Sequence, residues 1–341
     1  MSIRRSITLL CAMSIAFAIG MQSVLLSNQQ LAPVVASFNV STSSDRNTLT
    51  GNPQTEGQQA QSLSTHAATP AITPMDEMAE LVNLLRVEKG VPPVRINANL
   101  TRSAQAYTQR MADGNFFGHN DPDNDCNKPF ERALATGYAG WTHISENIAA
   151  GQATAQDAMT GLTESPSHYK TLINPNLREI GISLFTEFSD TDNVRIITTC
   201  PSYQQTGGPY LYYWAQDFGS RQIDNIPVLP VIINNETFDT DDYAVPLYIY
   251  GGVSGQPPWA NEMRFSEDGQ TWTAFEPWQA NKTFSLTNPP GLKTVYAELK
   301  HIDSTTQKVT TQIVSDTIYL NDPNQPRFVP TAFLFIPVAG R

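Results

Sequence analysis

Charge is scarce in this chain. Only 16% of its 341 residues are Asp, Glu, Lys or Arg, too few for a coiled coil or an extended charged helix. Basic residues are scarcer still, 21 Lys and Arg against 32 Asp and Glu, and the net charge is −11. A surface of that sign repels phosphate backbones and anionic headgroups, so nucleic acid is not an expected partner. Cysteine occurs three times, and Cys11 lies inside an apolar leader. Only Cys126 and Cys200 remain, and the sequence leaves two outcomes open for them, a disulfide in an oxidising compartment or two separate buried thiols. The two-histidine HExxH spacing of zinc peptidases is missing, which removes the most specific local signal for a catalytic metal. What is plentiful is turn chemistry, with 24 Pro and 20 Gly, in a chain long enough for two ordinary domains.

Arg4 and Arg5 precede an apolar stretch from Ile7 to about Leu26, the basic and hydrophobic regions of an export signal. No A-x-A cleavage site follows, so residues 1–30 read as a signal peptide or an uncleaved N-terminal anchor. Residues 31–73 are dominated by Ser, Thr, Gln, Asn, Gly and Ala, which bury too little apolar surface to offset the entropy of ordering. They are expected to be a disordered linker, with His66 solvated within it.

From residue 74 the pattern changes. Thr73 and Pro74 form a helix start, with Asp76 and Glu77 in the first turn and Met78, Leu81, Val82 and Leu85 at helical spacing. A second helix is expected from Asn97 or Asn99 through Leu100, Ala104, Tyr107 and Met111 to Gly114, and a third after Thr154 with Asp157 three places on. After Glu179 the runs become strand-like: Ile180 to Phe185, Val194 to Ile197 and Tyr210 to Phe218. Helices followed by antiparallel strands predict an α+β domain over 74–220.

Between these elements lie isolated polar residues: His119, Glu146, Asn147, Ser165 and His168. Two imidazoles and a carboxylate suit a divalent cation such as zinc. Three readings of the group stand side by side. Glu146 and Asn147 can hold backbone amides in a tight turn, with the histidines closing a buried polar network. His119, His168 and Glu146 can bind a metal. Glu146 can also serve as a catalytic base that activates metal-bound water. His143 is expected on an exposed loop at the rim, and Asp121, Asp123 and Asp125 on a solvated acidic loop, since the glycine and distal glutamate of an EF-hand are absent.

The order of short motifs is more specific than any one of them. Asn83, Arg86, Gly90 and Pro93 lead to Phe117-Gly118-His119, then Phe130 with Arg132, Gly137-Tyr138, Glu146-Asn147-Ile148-Ala149, Ser165-Pro166 with His168, Glu179-Ile180-Gly181, and Tyr213-Trp214 with Gln216-Asp217-Phe218-Gly219. Over roughly 75–219 this series resembles the bacterial branch of the CAP superfamily, the SCP-like extracellular proteins. The resemblance implies an α-β-α sandwich with a cleft in which His119, Glu146 and His168 converge. It also implies a second glutamate at the position where Ser165 stands, which puts a four-ligand site in doubt. Leu162, Ser167, Tyr169 and Ser145 depart from the family pattern as well.

From residue 228 short alternating segments recur, including Val231 to Ile233, Leu247 to Tyr250, Met263 to Phe265, Trp272 to Phe275, Thr283 to Leu286, Thr294 to Leu299 and Thr317 to Leu320. About seven strands predict an all-β sandwich over 228–321, and Glu262 to Gly269 with Trp272, Trp278 and Lys293 to Tyr296 resembles a bacterial immunoglobulin-like module. Trp259, Trp272 and Trp278 are expected to fill its core or brace its turns. The tail 322–341 is apolar but broken by Pro330 and Pro337, an edge strand or an envelope-attachment segment. The expected function is a secreted or surface-tethered protein whose cleft takes a small apolar ligand, a lipid or a cell-surface polymer. Two alternatives stand beside it, a metal-dependent hydrolase in the same cleft and an interaction scaffold with a vestigial one.

Overall fold

The computed structural model of the chain describes residues 71–323. All of them belong to one compact unit, Thr65–Arg341; the other unit, Met1–Ser64, lies outside the described residues. The expected leader, nearly all of the linker and the tail beyond Pro323 therefore fall outside them.

Helix α1 (Pro74–Glu88) begins where the sequence predicts, because two groups satisfy each other there. The Asp76 amide donates to Thr73 Oγ1 at 3.2 Å and the Thr73 amide donates to the Asp76 carboxylate at 2.8 Å, a reciprocal cap behind a first-turn proline. After the short strand β1 (Arg95–Ile96), α2 (Ala98–Asp113) starts at Asn97, whose side chain accepts from the amides of Asn99 and Leu100. It buries Leu100, Ala104, Tyr107 and Met111 along one face. Strand β2 (Phe116–Phe117), α3 (Pro129–Ala135), β3 (Trp141–Ala150), α4 (Ala155–Glu164), α5 (Pro166–Leu172), β4 (Glu179–Thr186), β5 (Val194–Ile196), β6 (Gln205–Gly207) and β7 (Tyr212–Ile223) follow. Helices α3 and α5 go beyond what the sequence pattern predicts. At seven residues each they are too short to show a helical period, although each has a proline in its first turn.

The main sheet runs β1-β4-β7-β3, with β7 antiparallel to both β4 and β3 and β1 parallel to β4. Alternation along β7 supplies both of its faces. Trp214 and Phe218 pack with Met78 and Val82 of α1 and Met159 and Leu162 of α4. Tyr213 and Ala215 pack with Ala104, Tyr107 and Met111 of α2. Helices thus cover both faces of one sheet. At Gly181 of β4 an added Cβ would lie 2.0 Å from the Leu100 carbonyl carbon, so only glycine lets α2 approach the sheet this closely.

A smaller sheet, β2-β5-β6, lies beside it. Cys126 and Cys200 form a disulfide with their Cα atoms 5.8 Å apart. Closing a loop with a sequence separation of 74 restricts the unfolded chain by about 4 kcal/mol on the entropy model.

Beyond β7 come β8 (Ile226–Pro227), β9 (Val231–Ile233), β10 (Asp239–Thr240), β11 (Ala244–Ile249), β12 (Glu262–Ser266), β13 (Glu276–Pro277), β14 (Asn281–Ser285), β15 (Gly291–Ile302) and β16 (Val309–Leu320). β8 pairs with the end of β7, and the remaining strands build two sheets, β10-β16-β15-β12-β13 and β14-β11-β9. Both line one core of Val231, Val245, Leu247, Phe265, Val295, Leu299 and Ile318. The strand expected at Trp272–Phe275 is irregular chain. Trp272 and Phe275 are taken up instead by Arg264, whose guanidinium lies 5.1 Å and 4.5 Å from their ring centres, so an aromatic pair that reads as strand serves a cation. Trp259 and Trp278 pack against the core as expected.

Candidate functional site

Strand β3 ends the main sheet, and its alternation separates two residues that are adjacent in sequence. Glu146 faces α2 and α3, whereas Asn147 faces α5. The tight turn that one of the three readings puts at Glu146 and Asn147 is thus a strand, and the two side chains lie on opposite faces of it. Asn147 is buried and donates to the His168 backbone carbonyl at 3.3 Å and to Gln216 Oε1 at 3.2 Å. It positions α5 from behind.

On the other face His119, just past β2, sets Nδ1 2.8 Å from Glu146 Oε1. The carboxylate accepts, so Nδ1 carries the hydrogen, and in the uncharged ring this tautomer leaves Nε2 as the ligating nitrogen. Arg132 of α3 donates to Glu146 Oε2 in a short hydrogen bond. The same guanidinium donates to the His119 and Asn127 carbonyls at 3.1 Å and 2.9 Å and lies 3.3 Å from the centre of the Tyr107 ring. Glu146 is therefore held at both oxygens, with its side chain 1% exposed, while the His119 side chain is 49% exposed.

His168 meets this group across the end of the sheet, its ring centre 6.5 Å from that of His119. Burial, and then the neighbouring His119, holds the His168 imidazole below its ordinary range, which favours the neutral, ligating form. The end of α5 is fixed by the fully buried Arg86, which donates to the carbonyls of Pro92, Leu172, Asn174 and Leu177. Ser165 sits at the α4–α5 junction with its hydroxyl 3.2 Å from that of Ser167. His143 is exposed, as expected, but on β3 rather than a loop. The acidic loop is not simply solvated. Asp121 is buried against Arg110 at 2.7 Å, and Asp123 joins Arg110 and Arg195 at 3.1 Å and 2.6 Å.

Sequence reasoning missed Asp217 and the role of Arg132. Asp217 of β7 stands directly opposite Glu146 of β3 and is 1% exposed. Burial first, and the Glu146 carboxylate second, push its carboxyl well above the usual range, with Ser103 and Arg132 opposing. The low-dielectric site thus favours the neutral form of Asp217 over the ionised one. The missing signal is strand register, which no local motif carries.

An open cleft of about 420 Å³ adjoins the site, lined by His119, Lys128, Phe130, Trp141, Ile144 and Glu146 among others. Phe130 and Trp141 form one wall with ring centres 5.6 Å apart, and Trp141 is 40% exposed.

Residues 79–218 match the CAP family model, described as the cysteine-rich secretory protein family. That stretch is a CAP, or SCP-like, domain, and its two-faced sheet with the histidine-bearing edge is the part of the chain the match covers. A curated relative, the uncharacterized protein YkwD of Bacillus subtilis (strain 168), is 33% identical over 140 residues, which are 40% of this chain and 52% of that protein. The match thus spans about half of the relative's length. Among solved structures, an outer surface protein from Borrelia burgdorferi is 17% identical with a TM-score of 0.35, covering 44% of this chain and 93% of that one. An extracellular SCP-domain protein from Bacillus anthracis is 20% identical with a TM-score of 0.33, covering 44% and 40%.

Proposed function

We propose that the CAP domain binds a small ligand with an apolar body and a polar end, a lipid or a segment of cell-surface polymer, in the cleft beside His119. The observation that carries this reading is the half-exposed Phe130–Trp141 wall set next to a polar cluster, one apolar surface and one hydrogen-bonding edge in the same cleft. The disulfide supports action outside the reducing cytosol. The leader at residues 1–30, the linker at 31–73, an immunoglobulin-like spacer role for the β-sandwich and attachment of the tail to the envelope belong to the same reading.

A divalent cation such as zinc fits the donor set in a restricted way. Glu146 is taken up by His119 and Arg132, and a guanidinium at that carboxylate disfavours a metal on it. His119 through Nε2 and His168 are the residues that would hold the ion, with Glu146 orienting His119 from behind. When bound, the ion supplies an anchor for an anionic or carbonyl group of the ligand. The hydrolase alternative needs Glu146 to accept a proton, and both of its oxygens are already engaged, so no observation favours it.

Mass spectrometry of the protein purified from its own host, first native and then after lipid extraction, tests ligand and metal together. A co-purifying apolar molecule that is lost in Trp141→Ala is the expected result. Wild-type protein that emerges empty and fails to take up lipid or wall polymer leaves the scaffold reading in its place. Zinc titration should lose its saturable step in both His119→Ala and His168→Ala; an unaltered titration in the two variants removes the cation.

A further inference from the structure

Where the CAP domain meets the β-sandwich, Arg95 of β1 touches two carboxylates of the second domain, Glu236 at 3.2 Å and Asp316 at 2.9 Å. Both acids are withdrawn from water, their side chains 8% and 1% exposed. Glu236 also accepts from the Ile96 amide of β1 at 3.1 Å, and Asp316 from the Ile233 amide of β9 at 2.7 Å. One cation therefore serves two buried anions, one of which is bonded to each domain's backbone.

The turn that delivers Glu236 is strained. Asn234, Asn235 and Glu236 have φ of 45°, 58° and 65° in succession; asparagine tolerates left-handed backbone, but for Glu236 it costs roughly 1–2 kcal/mol. Its anchors come largely from the CAP side. Asn83 donates to the Asn235 carbonyl at 3.0 Å, and Arg95 and Ile96 hold the Glu236 carboxylate. Separation of the domains frees the turn to relax.

We propose that Arg95, Glu236 and Asp316 form an interdomain clasp whose closure depends on one proton held between the two acids. With that proton the cluster is neutral; without it a second negative charge is confined where both acids are withdrawn from water. Burial is the main force raising both acids above their ordinary range, Asp316 adds to it for Glu236, and Arg95 opposes it. The surrounding elements bring no second cation to the two acids among the described residues. Helix α1 presents Asp76 to an adjoining cavity of about 340 Å³ together with Tyr319, and its Glu80 faces Asp239. Strand β11 contributes Tyr248, which is half-buried, and β9 has no titratable side chain. On the far side of Arg95, Glu179 and Arg221 pair with each other at 3.1 Å.

The sign follows from linkage. An acid whose folded value is raised keeps its proton in the docked state and loses it when exposed, so docking is favoured in mild acid and lost as pH rises through the raised value. Each unit of displacement is worth a factor of ten in the docking equilibrium.

Hydrogen exchange on the full chain, corrected for the intrinsic effect of pH, reads this at the Ile96 and Ile233 amides, with Ile182 in the middle of β4 as the reference. Protection at the two interface amides should fall by roughly tenfold or more between about pH 6 and about pH 9, while Ile182 stays level. Glu236→Gln keeps an acceptor but removes the second charge and should abolish the fall; Asp316→Asn provides the same test if that variant does not fold. A wild-type profile that is flat at Ile96 and Ile233 overturns the clasp whatever the variants do. So does a folded Glu236→Gln or Asp316→Asn protein that retains the full wild-type fall.

Discussion

Two buried clusters in this molecule have the same composition, one arginine and two carboxylates, and do different things with it. In the CAP domain Arg132 bonds Glu146, and Asp217, directly across the strand pair, has its carboxyl pushed up by burial and by Glu146. At the domain junction Arg95 lies between Glu236 and Asp316 and bonds both. The first cluster ends in a half-exposed imidazole, so its charge arrangement is passed to a surface side chain in a cleft. The second ends in the Ile96 amide of β1 and the Ile233 amide of β9, so its arrangement is passed to the contact between the CAP sheet and the β-sandwich. What a buried charge triad controls is thus decided by its last hydrogen-bond partner rather than by its members.

The largest effect should come from removing the arginine of the CAP cluster. Arg132→Met leaves Glu146 buried without its cation and strips the stacking from Tyr107, and should lower the unfolding free energy by about 3–5 kcal/mol in denaturant titration. Arg95→Met should instead open the junction while the CAP sheet stays folded. Equal loss of Ile182 protection in both variants would erase the distinction between the two clusters.

The disulfide comes next, because it ties down the chain around Asn127, one of the carbonyls that Arg132 holds. Replacing Cys126 and Cys200 by serine should cost about 2–4 kcal/mol by thermal unfolding, with the pH response of the junction unchanged. A shift in that response would mean the two clusters are coupled.

His119→Ala takes one hydrogen-bond partner from the buried Glu146 carboxylate and should cost about 1–2 kcal/mol while removing the ring that faces the cleft. Asp217→Asn should change least in mild acid, by less than about 1 kcal/mol, since a neutral side chain replaces a carboxyl that burial biases toward its neutral form. Its signature is in the pH profile. The raised folded value gives wild-type stability that is full below the ordinary carboxylate range and declines as pH climbs from there through the raised value, so the variant should show a flatter profile across that window. A variant that falls as steeply as wild type would place the proton elsewhere.

Much of the fold is visible in local chemistry. Thr73 with Asp76, Asn97, and Thr154 with Asp157 each announce a helix start, because a side-chain oxygen there has only nearby amides to accept from. Alternation in Glu179 to Thr186 announces a strand for the same local reason. The candidate site was legible only in part. His119, Glu146 and His168 stand out as polar residues in apolar surroundings, but Asn147, grouped with Glu146 because it follows it, points to the opposite face. Trp272 and Phe275 read as strand residues although a guanidinium from another strand claims them.

Alone, the sequence determined where helices begin, which runs extend, and that a scarce set of histidines and acids would carry whatever chemistry exists, because each of these depends on contacts within a few residues. Pairing across the sheet decided the rest. The register that sets Asp217 opposite Glu146, the reach of Arg132 over Tyr107 and the insertion of Arg95 between two acids of the β-sandwich all join residues far apart in the chain, and burial there raises the carboxyls it encloses.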